Sequence, residues 1–216
     1  MLKKGTLTML KGIDISCNNW HYLASRDFYD LHAADFVLMK ASEGVTFKDW
    51  RVDTYYNLLH GMPDGRPDPT KCYGFYHYAR PENNSAYAEA NHFLDLVFHH
   101  AGYAVFALDV EGKALQLPED YLNAWVYEYA FHIFNQTGVK PMIYCSRSDT
   151  RRFVSAASYN CGLWCASWGD RKPTKKQIAP WELMAIWQDS DGNGHLDKDR
   201  FYGDAEAWHK YCERII

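Results

Sequence analysis

Short apolar runs alternate along this chain with longer stretches whose apolar positions recur at helical spacing. Strand-like runs fall at Gly12–Ser16, Phe36–Lys40, Tyr73–Tyr78, Val105–Glu111, Pro141–Cys145, Leu163–Ser167 and Leu183–Gln188. Helical patterns separate most of them, over Arg26–Ala33, Arg51–His60, Ser85–His100 and Ser148–Ala157, with a closing helix at Asp204–Arg214. In the third of these, Ala86, Ala90, Phe93, Leu94, Val97 and Phe98 form one apolar stripe. The best-bounded helix opens at Pro118, carries Glu119 and Asp120 in its first turn, and runs from there to Thr137 before Gly138. Proline and acids favour a helix start, and glycine favours its end. Residues 61–71, rich in proline, glycine and charge, read as a loop. The segment between the last two strands is too short and too rich in Lys and Pro for a long helix.

Alternating β and α units predict a parallel sheet, either open or closed into a barrel. Polar residues recur at the strand tips: Asp14, Lys40 with Glu43, His77, Asp109 with Glu111, Tyr144, Trp168, Gln188 and, further on, Asp197. A barrel gathers functional groups from many tips on one face, whereas an open sheet concentrates them at one switch point. The first loop, Ser16-Cys17-Asn18-Asn19-Trp20, also lacks the glycines of a nucleotide-binding sheet. We therefore expect an irregular (β/α) TIM-like barrel, in a single domain, with its site at the C-terminal ends of the strands. Residues 1–10 would form an extension and residues 11–214 the domain.

The fourth strand ends in two carboxylates. Strand side chains alternate faces, so Asp109 and Glu111 point the same way, with Cα atoms roughly 6.5–7 Å apart. Such a pair can bracket a glycosidic bond, one acid protonating the leaving oxygen while the other steadies developing positive charge. The same two letters also occur as a solvated edge or an ion pair, so the motif needs support from the rest of the chain.

Composition narrows the field. The 216 residues suit one domain, and 47% hydrophobic with 23% charged residues is ordinary for a globular protein. A net charge of −4 disfavours a nucleic-acid binder, and no apolar run is long enough to span a membrane. The aromatic content, 16%, exceeds what is usual and offers sugar-stacking faces as well as core. The N-terminal segment lacks the continuous apolar stretch of a secretory signal, so the six cysteines are expected as free, mostly buried thiols. No Cys/His spacing supports zinc, and no Gly-x-Ser-x-Gly motif supports acyl transfer.

The blocks at the strand tips resemble glycoside hydrolase family 25, the lysozymes (N-acetylmuramidases) that cut bacterial peptidoglycan. They are Gly12-Ile13-Asp14-Ile15-Ser16, Phe36 through Gly44, Tyr73 through Pro81, Leu108-Asp109-Val110-Glu111, Ile143-Tyr144-Cys145-Ser146, Leu163 through Trp168, and Ala185-Ile186-Trp187-Gln188. Seven blocks in the family's order span residues 12–188. The resemblance implies hydrolysis of the β-1,4 bond between N-acetylmuramic acid and N-acetylglucosamine. By position it makes Glu111 the general acid/base, Asp109 its partner, and Asp14 and Asp197 further site acids. Tyr78, Tyr144, Trp168 and Gln188 would contact sugar, and Lys40 with Glu43 could join them or form a structural ion pair. The family's Asp-x-Asn-x-Phe reads here Asp197-Lys198-Asp199-Arg200-Phe201, with Asp199 in place of Asn. The resemblance implies no cofactor and a monomer acting on the bacterial cell wall. With no signal peptide evident, a phage endolysin or an unrecognised export route would fit.

Three other readings are weighed against this one. Asp189 through Asp197 resembles most of a calcium-binding EF-hand loop, but its twelfth position is Arg200, a cation, and a glycine- and Asx-rich turn explains the same letters. A chitinase-like glycosidase also uses Asp-x-Glu, but usually with another Asp two residues upstream, where this chain has Ala107. A catalytically silent wall-binding module is a third possibility, disfavoured by the joint presence of Asp109 and Glu111.

Overall fold

A computed structural model describes residues 9–60 and 71–215. The loop expected at 61–71 lies outside the described residues except for its last position. Nine strands form one sheet: β1 (Leu10–Ile15), β2 (Phe36–Glu43), β3 (Phe47–Lys48), β4 (Cys72–Tyr78), β5 (Val105–Asp109), β6 (Met142–Ser146), β7 (Leu163–Ala166), β8 (Ile186–Ser190) and β9 (Asp197–Phe201). Their order is β1-β9-β8-β7-β6-β5-β4-β2-β3, and β1 also pairs with β2, which closes an eight-stranded barrel with β3 as an appendage. The expected barrel is therefore present.

Seven barrel strands run parallel, but β9 is antiparallel to both of its neighbours, β1 and β8. Its charged pattern, Asp-Lys-Asp-Arg-Phe, hid it from a hydrophobicity reading. Strand β3 was missed for a different reason, since two exposed residues carry no periodic signal. The strand expected from Leu183 begins instead at Ile186, and Leu183 stands 80% exposed. The helix expected at Ser148–Ala157 splits into a 3-10 turn at Thr150–Arg152 and α6 (Val154–Ser158), because Phe153 leaves helical backbone at φ −115°, ψ 45°. Around the first connection, α1 (Trp20–Ala24) and α2 (Tyr29–Ala33) flank Asp27 and Phe28, both at positive φ.

The longer helices follow their caps. The Ser85 hydroxyl accepts from the Ala88 amide at 3.3 Å and opens α4 (Ala86–Val97). Helix α5 (Glu119–Thr137) ends at Gly138, whose left-handed backbone (φ 74°) lets its amide donate to Phe134 O at 2.7 Å. Helix α3 (Val52–His60) turns Val52, Tyr55 and Leu59 toward the sheet core.

Inside the barrel, alternate residues of each strand stack in layers. Phe36, Cys72 and Phe201 fill the lower level, with Leu38, Val105, Met142, Trp164 and Ile186 above them. Helix α7 (Ala205–Lys210) plugs the lower end: the Trp208 ring lies 4.7 Å from Phe36 and 5.2 Å from Phe201. Fully burying one such phenylalanine stabilises the fold by roughly 1.5–3 kcal/mol. The upper level turns polar. Backbone closes in beside Gly74, where an added Cβ would stand 2.6 Å from the backbone oxygen of Val105. Gly74→Ala is thus expected to destabilise the protein by about 1–3 kcal/mol through overpacking, read as a lower midpoint in urea with an unchanged slope.

Candidate active site

The polar level gathers acids from three strands. Asp14 on β1 and Asp197 on β9 are register partners, and Asp109 ends β5. Because β9 runs backwards, its first residue reaches the same rim as the last residues of its parallel neighbours. Glu111 lies just beyond β5 in extended backbone (φ −150°, ψ −172°), and the turn continues through Gly112 at φ 59°. Glycine is needed there twice over: the backbone is left-handed, and a Cβ would lie 2.7 Å from the Tyr78 hydroxyl.

Gln188 on β8 ties the level together. Its amide nitrogen donates to Asp14 Oδ2 at 2.8 Å and lies 3.3 Å from Asp197 Oδ2. Its oxygen accepts from the Tyr144 hydroxyl at 3.0 Å and from Trp168 Nε1 at 3.2 Å. Trp168 is otherwise 62% exposed, so its ring face is open to a ligand. Glu111, Tyr144, Ala166 and Trp168 line a cleft of about 380 Å³. A larger cavity, about 640 Å³, lies away from these acids, against Cys161, Trp181, Phe201 and Tyr211.

Crowding and burial raise the acids together. Burial and then the Asp197 charge lift Asp14 to about 7. Burial lifts Asp197 to about 6, with help from Asp191 and Glu111. Asp109 is pushed well above the carboxylate range by burial and by Glu111. Glu111 is also raised by burial, but Lys40, a hydrogen bond from Tyr78, and Arg80 oppose that rise. The opposing cations form a cluster: Lys40 Nζ lies 2.6 Å from Glu43 Oε2, Arg80 pairs with the other Glu43 oxygen, and each cation lies 4.7 Å from the Tyr78 ring centre. Lys40 and Arg80 thus oppose the rise at Glu111, and both are paired by Glu43.

Of the strand-tip residues, His77 does not join the others. It sits between Tyr76 and Tyr78 and points outward, bonding Glu89 of α4 and Ser42 at 2.8 Å each. The triad-like Ser42, His77 and Glu89 are all fully buried, so no substrate reaches them. Arg80 and Asp199 are the site neighbours to which the sequence reading gave no role. Asp199 carried a signal, its departure from the expected Asn; Arg80 lay inside a matched block with nothing to mark its role. The 189–197 segment forms an Asx-type turn in which the Asp191 carboxylate accepts from Asn193 N at 3.1 Å, while Arg200 pairs with Asp189. Among the described residues no group of three or more His, Cys, Asp or Glu side chains is placed to hold a metal ion.

Acids with raised pKa at a barrel mouth, beside an open tryptophan face, can protonate a leaving oxygen and stabilise a sugar cation, which is the equipment of a glycoside hydrolase. The sequence profile described as glycosyl hydrolases family 25 matches residues 13–196, and the chain belongs to that family. It is an enzyme of the lysozyme, or peptidoglycan muramidase, class. The chain is 26% identical over 226 residues to an N,O-diacetylmuramidase of Arthroderma benhamiae, covering 95% of this chain and 85% of that protein. A family GH25 lysozyme from Aspergillus fumigatus superposes with a TM-score of 0.73 at 26% identity, over 95% of this chain and all of that one, 100%. A bacterial lysozyme from Streptomyces coelicolor shares the fold with a TM-score of 0.74 at 21% identity, covering 96% and 98% of the two chains.

The opposition between Lys40 and Glu111 has a measurable consequence. Lys40 holds the Glu111 pKa down, so removing its charge lets Glu111 keep its proton to higher pH. Lys40→Met is expected to move the alkaline limb of kcat/KM upward by about half to one pH unit. A limb that stays in place or moves down would show that Lys40 does not set the Glu111 potential.

Proposed function

We propose that this enzyme cleaves the β-1,4 bond after N-acetylmuramic acid with retention, using Glu111 as acid and then base and the substrate's own acetamide as nucleophile. The observation that carries the reading is the contrast between neighbouring carboxyls. Glu111 faces the cleft and accepts from Tyr78. Asp109 lies buried behind it, and its Oδ1 has no hydrogen-bond partner within the protein. A buried oxygen without a donor is costly. The acetamide N–H of a muramyl residue would supply that donor and hold the acetamide carbonyl toward the anomeric carbon.

In the first step Glu111 gives its proton to the glycosidic oxygen as the C1–O bond breaks. The acetamide oxygen closes onto C1, forming a cyclic cation whose N–H is held by Asp109 Oδ1. In the second step the Glu111 carboxylate takes a proton from water, which attacks C1 and reopens the ring, so two inversions leave the β-anomer. Asp14 and Asp197 add negative potential beneath the developing cation, while Trp168 and Tyr144 provide faces and a hydroxyl for neighbouring sugars. The names of the relatives, lysozyme and N,O-diacetylmuramidase, support a wall glycan carrying N-acetylated muramic acid as substrate. The bacterial cell wall is accordingly the proposed place of action.

Two measurements check this. Glu111→Gln is expected to slow turbidity clearing of purified bacterial walls by about 10²–10⁴-fold. Clearing at the wild-type rate would remove Glu111 from the mechanism. An NMR time course on a soluble wall glycan is expected to show the β-anomer first, and an initial α-anomer would exclude retention.

A further inference from the structure

Asp199 occupies a position that the chemistry proposed above does not use. The antiparallel course of β9 sets it opposite Gly12 on β1 and Gln188 on β8, with its side chain inside the barrel. It is 2% exposed. Its Oδ1 accepts from the Trp164 indole at 2.8 Å, while its Oδ2 is buried and receives no hydrogen bond from any donor of the chain. The group in hydrogen-bond contact with it is another carboxyl, that of Asp14.

Two buried carboxyls this close cannot both be anions, so one of them must be the acid. Asp14 has a donor in Gln188 and Asp199 one in Trp164, but of the two it is Asp199 that keeps a buried oxygen without a hydrogen bond. The proton therefore belongs to Asp199, whose O–H then satisfies its own orphaned oxygen and gives Asp14 a second donor. The groups facing Asp199 offer no competing cation. From β1 it meets Asp14, and from β9 Asp197. From β7 and β8 it meets the neutral Trp164 and Gln188, and from β6 the buried Tyr144 phenol. Lys11, Lys198 and Arg200 alternate to the outer face of the same strands.

We propose that Asp199 is a positioning residue held as the neutral acid, donating to the Asp14 carboxylate and disabling the enzyme when this proton is lost at high pH. Burial and the Asp14 charge both push Asp199 well above the ordinary carboxylate range, which agrees with that assignment. An asparagine here would donate the same hydrogen bond and accept the same indole, but it could not ionise. Asp199 thus gives this chain an alkaline limit that the amide would lack. The inference rests on the site role proposed for Asp14, so its test includes a readout that needs no catalysis.

The variant is Asp199→Asn, compared with the wild-type protein from pH 4 to 9. Above the ordinary Asp pKa of about 3.9, the wild-type fold holds a proton that its unfolded chain has released. The wild type therefore loses stability as pH rises, by up to tenfold in folding equilibrium constant per pH unit, and D199N does not incur that loss. The melting-temperature advantage of D199N is expected to widen from pH 4 to 7. A difference that stays constant would mean that Asp199 is ionised in the fold and would overturn the assignment. Second, the ratio of D199N to wild-type kcat/KM on wall glycan is expected to climb with pH on the alkaline side. A flat ratio, with the thermal difference present, would leave a structural proton and refute the positioning role. The thermal series stands even if Glu111→Gln clears walls normally, so failure of the catalytic reading and failure of this one are told apart.

Discussion

One antiparallel strand closes this barrel, and the site depends on how it does so. Strands β1 and β8 run the same way around the ring and are separated by β9, which runs the other way. A parallel strand in that place would need a covering crossover before it and would present its last residues at the rim. The short hairpin from β8 instead delivers the first residue of β9, Asp197, to the rim and buries the third, Asp199, one layer down. The fifth, Phe201, seals the base against Trp208. A single five-residue strand therefore supplies a rim acid, a second carboxyl for Asp14 and part of the hydrophobic floor. Its alternation makes those assignments inseparable, since a one-residue slip would turn all three side chains outward.

Gathering these acids opposes folding. Each would ionise readily in an unfolded chain, and each is raised in the folded one, so the folded site binds protons that the unfolded chain releases near neutrality. The fold offsets this with neutral donors at the inner acids and cations placed only at the outer edge. Gln188 and Trp164 serve Asp14 and Asp199, while Lys40 and Arg80 stand near Glu111. A cation placed among the inner acids would relieve the repulsion but would also lower the proton affinity that an acid catalyst needs. Glu43 limits even the outer cations by pairing with both. The result is graded: charge is most compensated at Glu111, where Lys40, Tyr78 and Arg80 all oppose the rise, and less so at Asp14, Asp197 and Asp109.

Much of this was legible in the residues, and the parts that were not have physical reasons. Strands β2, β4, β5, β6 and β7 announced themselves because both of their faces are buried, one against helices and one in the lumen. Strand β9 did not, because its inward residues are the acids and its outward residues are a lysine and an arginine. Its letters carry no apolar period, although Asp197 was expected at the site by resemblance. Gln188 was expected as one sugar contact among several. That it bridges Asp14, Asp197, Tyr144 and Trp168 follows from barrel closure, which brings residues 174 positions apart into one hydrogen bond. No local pattern encodes a contact of that span.

Strand parity also decides which reactive-looking groups can react. Along β4, Tyr76 and Tyr78 face the lumen while His77 faces α4, so neighbouring residues serve different compartments. His77 with Ser42 and Glu89 has the residue types and the hydrogen bonds of a nucleophilic triad, at 2.8 Å each. All three are sealed between sheet and helix, and burial lowers the His77 pKa, so the imidazole stays neutral, bridging the serine and the carboxylate. Glu89 is further occupied by the Arg80 backbone amide at 2.9 Å and by the Asn84 side chain at 2.8 Å. That network anchors the turn after β4 and so fixes where Arg80 enters the electrostatics of Glu111. The buried triad acts on the site at one remove, by placing a cation, and the tyrosine one position further along the strand hydrogen-bonds Glu111 itself.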